Sequence, residues 1–228
     1  MPLRDHFHPP LSIRRHWHAF HNAWATYLAS DLNSRLPEGY FAEPNVQFGI
    51  EIDVATFQEV NGLGWSPPAP ALTIPLPVLA EVVEVAVYSA SGGPTLAGAV
   101  ELVSPANKDR AQHRDAFVSK CASYLQQGVG LAVVDVVTER AANLHDELLA
   151  RFAGPTAPRL GDSLYAAAYR PVQRNDQTEL DVWPAGLAVG QPLPTLPLWL
   201  RGGLCLPVEL EATYERTCRE QRVPASGA

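Results

Sequence analysis

The chain has 228 residues, 46% of them hydrophobic, with 17 basic against 24 acidic side chains and a formal charge of -7. That length allows one sizeable core, and the negative sign argues against a protein whose affinity rests on neutralising phosphates. Pro67 to Val87 is apolar but broken by five prolines and two glutamates, short of the roughly 18 to 20 apolar residues that a membrane span needs.

Met1 to Pro10 leads into no apolar signal region, so a cytoplasmic protein is expected. Cys121, Cys205 and Cys218 form no CxxC pair, which suggests buried thiols rather than a disulfide framework or a zinc knuckle.

In chain order, Ile13, Trp17, Phe20, Trp24, Leu28, Leu32 and Leu36 recur at three- and four-residue spacing. The spacing predicts an amphipathic helix from Ser12, its N-cap, to about Leu36, stopped at Pro37-Glu38-Gly39. Val46 to Phe57 alternates apolar and other residues with period two, which predicts one strand with Glu51 and Asp53 on one face. Asn61 to Pro77 is dense in Gly and Pro and reads as a loop. Val82 to Ser89 and Thr95 to Val103 flank Gly92-Gly93 and predict a hairpin.

Asn107 to Gln127 is helical in pattern, Gly128 suits a C′ position, and Val129 to Val137 reads as a buried strand. A short helix is expected at His145 to Phe152. Beyond it, Tyr165 to Tyr169 and Leu180 to Trp183 could be strands, Pro192 to Pro197 a rigid connector, and Pro207 to Arg222 a terminal helix with proline in its first turn.

Carboxylates on neighbouring strands can hold a hard divalent cation, which polarises a phosphate and activates water, while a nearby lysine steadies charge. Such residues stand in order here. Glu101-Leu102-Val103-Ser104-Pro105-Ala106-Asn107-Lys108 is followed by Lys120, Tyr124, Gly128-Val129 and a strand ending near Asp135. The stretch resembles a bacterial domain-of-unknown-function family, number four thousand and fifty-eight in its series, whose members carry a glutamate and then a Ser-Pro-x-Asn-Lys turn.

That family is similar to the Uma-type endonucleases of the PD-(D/E)XK superfamily, in which a strand glutamate, a Ser-Pro turn and a helix Lys-x-x-x-Tyr precede a buried strand. Trp17-His18-Ala19-Phe20-His21, Val182-Trp183-Pro184 and the Pro192 to Pro197 run resemble further family elements, so the likeness spans most of the chain.

The resemblance implies an α/β (α+β) chain with a restriction-endonuclease-like central mixed sheet flanked by helices. It implies a single domain over 1–228, with a core at about 12–152 and an irregular C-terminal extension at about 153–228. It also implies Mg²⁺- or Mn²⁺-dependent hydrolysis of phosphodiester bonds in DNA, with Asp53 and Glu101 as metal ligands and Glu51 able to replace Asp53.

The pattern expects a lysine two positions after Glu101, where Val103 stands. Lys120 is the favoured replacement and Lys108 the second choice. Val103 and the acidic charge motivate the competing expectation of a catalytically silent nuclease-like fold that binds a protein or nucleic acid.

Clustering of Glu101 with Asp53 leads to the expectation that Glu101→Gln melts no lower than wild type. His16, His18 and His21 lack a partner at zinc-site spacing and read as packing or surface residues, His21 having a functional claim through the resemblance alone. Trp17 and Trp24 read as core, and Ser104 and Asn107 as turn-closing residues. Walker, GxSxG, GxGxxG and HExxH motifs are absent from the sequence.

Overall fold

A computed structural model describes residues 1–48, 50–58, 68–75 and 95–224, and their side chains except at 45–48, 50–58 and 75. The strand expected at Val82 to Ser89 and much of the loop expected from Asn61 lie outside the described residues.

The first helix, α1, is Trp17–Asn33. Phe20, Trp24, Leu28 and Leu32 are buried along one stripe as the spacing requires, but the helix starts five residues later than Ser12, with His16 at the N-cap. Residues 11–14 form a turn and Ile13 is 76% exposed. A periodic pattern cannot tell a helix from the turn leading into it, so Ile13 fitted the stripe by position only.

The alternating stretch is two strands, β1 (Tyr40–Phe48) and β2 (Ile50–Gln58), paired antiparallel with Phe48 opposite Ile50. The single expected strand was wrong because period-two alternation runs on through a hairpin without a break. β3 (Leu72–Pro75) lies within the segment read as a loop and pairs with a later strand, Ile74 opposite Leu180. Its proline is tolerated because β3 is the end strand of the described sheet, where a missing N–H need not break a ladder.

Next come β4 (Thr95–Leu102), the one-turn helix α2 (Pro105–Asp109), α3 (Ala111–Gln126) and β5 (Gly130–Asp135). The expected helix from Asn107 is thus two helices, separated at Arg110, whose backbone is extended. Gly128 has φ +76°, the left-handed conformation its C′ role required. α4 (Leu144–Ala153) follows.

β6 (Tyr165–Arg174) and β7 (Gln177–Gly186) form a hairpin whose turn residues, Asn175 and Asp176, both have positive φ. Asn and Asp adopt that conformation at low cost, as a two-residue turn of this kind demands.

The sheet has the order β1-β2-β4-β5-β6-β7-β3, antiparallel throughout except for the parallel pair β4 and β5, which are joined through α2 and α3. Successive residues of β4 and β5 face opposite ways, and both faces are covered. Ala99, Val103, Leu131 and Val133 pack with Phe117, Cys121 and Leu125 of α3 and with Leu148 of α4. Val100, Leu102, Ala132 and Val134 pack on the other face with Trp24 and Leu28 of α1.

The C-terminal part is regular, contrary to expectation. β8 (Thr195–Trp199) and β9 (Cys205–Glu209) pair as a second sheet, and α5 (Leu210–Glu220) lies against α1, where Trp24 Nε1 donates to Thr213 Oγ1 at 3.1 Å. Pro207, expected in a helix, stands opposite Pro197 in this two-stranded ribbon. No described helix is long and apolar enough to cross a membrane.

Candidate active site

The end of β4 opens into a cavity of about 250 Å³ between α1 and α3. Trp17, His18, His21 and Asn22 line it from α1, with Glu101, Leu102, Ser104 and Asn107 from β4 and its turn, and Lys120 from α3. Glu101 has the same parity as Ala99 and Val103, so its side chain leaves the sheet on the α3 side. Lys120 Nζ lies 2.7 Å from Glu101 Oε2 and 5.2 Å from the centre of the Phe117 ring. Both charged ends are largely buried, with Glu101 only 1% exposed. A direct pair is what makes a carboxylate acceptable at that depth.

On the opposite wall, His21 Nε2 is 3.0 Å from the carbonyl oxygen of Leu102. A carbonyl can only accept, so Nε2 is the protonated nitrogen of that ring. This bond ties α1 to the end of β4 beside the glutamate. Trp17, read from the sequence as core, is half-buried and does two things. It packs on His6, Phe7 and Phe20, and it lines the cavity. His18 also lines the cavity and meets Asn22 Nδ2 at 3.3 Å.

The turn after Glu101 is held by its own side chains. Asn107 Oδ1 accepts from the Ser104 backbone N–H and from Ser104 Oγ, each at 2.8 Å, and Pro105 begins α2, where its missing N–H costs nothing. The turn-closing role expected of Ser104 and Asn107 is therefore present.

Lys108 is not at the cavity. The turn sends it into the interior, where Nζ lies 2.8 Å from Asp135 Oδ2 with both side chains fully buried, and donates to the carbonyl of Ser163 at 3.1 Å. Burial pushes the Asp135 carboxyl up to about 6, against the pull of the Lys108 charge. Lys108 thus ties the turn to β5 and leaves Lys120 as the lysine beside Glu101.

Asp53 and Glu51 stand in β2, and their side chains lie outside the described residues. Their strand pairs with β4, Val54 opposite Val100. Asp53 precedes Val54 and Glu101 follows Val100, so on antiparallel strands the two backbone positions are neighbours one register step further on.

No group of three or more metal-ligating side chains occurs among the described residues. The donor present at the cavity, the Glu101 carboxylate, is of the oxygen type that Mg²⁺ and Mn²⁺ take, whereas His18 and His21 suit softer metals. Among the described side chains that line the cavity, Glu101 is the one carboxylate, and it is paired with Lys120.

The chain was compared with protein-family models, curated proteins and solved structures, and it matches none of them.

Proposed function

We propose that this protein is a divalent-metal-dependent hydrolase of phosphodiester bonds in DNA, built on a restriction-endonuclease-like core. The observation that carries the reading is the Glu101–Lys120 pair, a recessed carboxylate and a lysine at 2.7 Å opening on a cavity. It is supported by the mixed sheet flanked by helices, in which β4 is followed by α2 and α3 and then by the parallel strand β5. Val103, where that pattern has lysine, is buried beneath α3, and Lys120 of the same helix supplies an ammonium to the glutamate instead.

Glu101 and Asp53, or Glu51 in place of Asp53, would hold Mg²⁺ or Mn²⁺, which supplies phosphate polarisation and a water of lowered pKa. Lys120 stands where it can steady negative charge on the phosphate, in a recess where screening is weak and each charge counts for more than in bulk water. His21 and the Ser104 turn hold the α1 and β4 walls in register around that point.

The test is incubation with plasmid and single-stranded DNA in Mg²⁺ or Mn²⁺. Cleavage abolished by chelator is expected, as is a loss of about a hundredfold or more in Lys120→Met. Intact DNA, together with calorimetry that detects no Mg²⁺ or Mn²⁺ binding, would sink the hydrolase reading in favour of a silent binding module.

A further inference from the structure

Resting on the hydrolase reading, we infer that Asn107 is a substrate-binding residue whose side-chain NH₂ donates to a non-bridging oxygen of the phosphodiester in front of Glu101 and Lys120. The amide's orientation is determined by chemistry. The Ser104 backbone N–H can only donate, so the Asn107 atom 2.8 Å from it must be the carbonyl oxygen. Ser104 Oγ bonds the same oxygen. The NH₂ is therefore the free end of a clamped group, and it donates to nothing among the described residues.

The structural task at this position belongs to the oxygen alone, and a carboxylate would perform it as well. An acid in the first turn of a helix is also favoured by the helix dipole. An aspartate at 107 would thus close the same turn with equal or greater stability, yet the residue is an amide. Its position accounts for that choice. Asn107 lines the cavity with Glu101 and Lys120, where a carboxylate beyond the proposed metal ligands would repel a phosphate and two N–H donors attract one. The amide also adds no negative charge to compete with Glu101 for Lys120. A donor held by two bonds arrives already oriented, so little entropy is lost when it takes the phosphate oxygen.

The probe is dimethyl phosphate, the smallest phosphodiester, titrated with and without Mg²⁺ into ¹⁵N-labelled full-length protein. The Asn107 side-chain NH₂ signals, assigned by triple-resonance spectra and by their absence in Asn107→Asp, are expected to shift saturably. Binding should weaken about tenfold in Asn107→Asp and in the uncharged Asn107→Ser, the loss of one hydrogen bond to a charged group. The melting temperature of Asn107→Asp should not fall.

An NH₂ pair that stays in place through the titration overturns the inference, whether or not the probe binds elsewhere. This readout uses wild-type protein and holds even if a variant folds poorly. Stationary NH₂ signals with Lys120-dependent DNA cleavage would remove Asn107 but leave the hydrolase. Shifting signals with no metal-dependent cleavage would leave a phosphodiester-binding site and remove the hydrolase.

Discussion

Lys120 reaches Glu101 from a different element, its Nζ 2.7 Å from Oε2, and remains 15% exposed while the carboxylate is 1% exposed. The two charges stabilise each other in a poorly hydrated place, and this reverses the expectation drawn from clustered carboxylates. Glu101→Gln replaces a charge-assisted bond to a part-buried ammonium with a neutral one and should lower stability by about 1–3 kcal/mol. Urea unfolding without metal is the measurement. A variant as stable as wild type, or more so, would mean that repulsion from neighbouring acids outweighs the pair.

The two lysines should separate in opposite senses. Lys108→Met leaves the Asp135 carboxylate buried without its ammonium and is expected to cost about 3–5 kcal/mol. Lys120→Met, at a wetter site, should cost less stability and more metal-supported cleavage. Unfolding curves of both variants, with cleavage rates for the folded fractions, decide the point. Equal stabilities would show that the Lys108 pair carries no more structural weight than Lys120.

Acid should destabilise the fold through two buried histidines. His6, bonded to Tyr214, and His145, bonded to Tyr169, are held down to about 4 chiefly by burial. A histidine with a lowered folded pKa contributes stability above its unfolded value near 6.5 and loses it as pH falls toward about 4. Each contributes on the order of 3 kcal/mol over that window. Asp135, raised to about 6, acts in the opposite direction. The difference between wild type and His145→Gln is therefore the quantity to follow. It should shrink as pH drops from 7 to about 4, and a difference independent of pH would show that His145 titrates alike in both states.

Gly130 begins β5 directly beneath β8, and a Cβ there would overlap the carbonyl oxygen of Trp199. Backbone cannot swing aside as a side chain can, so Gly130→Ala is expected to cost about 3 kcal/mol or more. A thermal melt compared with Gly190→Ala checks this, since Gly190 has no neighbour within 4 Å of an added Cβ. Its φ of +87° supplies a strain-only control. A Gly130 variant that melts with the Gly190 variant would show that β8 can shift.

Local pattern determined a good deal of this protein by itself. The apolar stripe of α1, the buried runs of β4 and β5, and the stop at Gly128 follow from side-chain period and backbone freedom, which act over a few residues. So does the Ser104–Asn107 turn, whose hydrogen bonds close within the turn itself. Glu101 is visible in the same way as a single acid in an apolar strand before that turn, while the role expected of it comes from the resemblance alone.

What the tertiary structure decided involves partners distant in sequence. The preference for Lys120 over Lys108 rests on the resemblance, and Asp135 at the end of β5 and Glu101 on β4 determine which lysine goes to the interior and which to the cavity. Trp17 fitted a core stripe because helical period cannot register that one edge of a ring packs while another borders a cavity. The division into β1 and β2, the strand at Leu72–Pro75 and the ribbon of β8 and β9 depended on pairing between segments, which leaves period two unchanged. In each case a local pattern specified an element, and a contact from a distant part of the chain chose its partner.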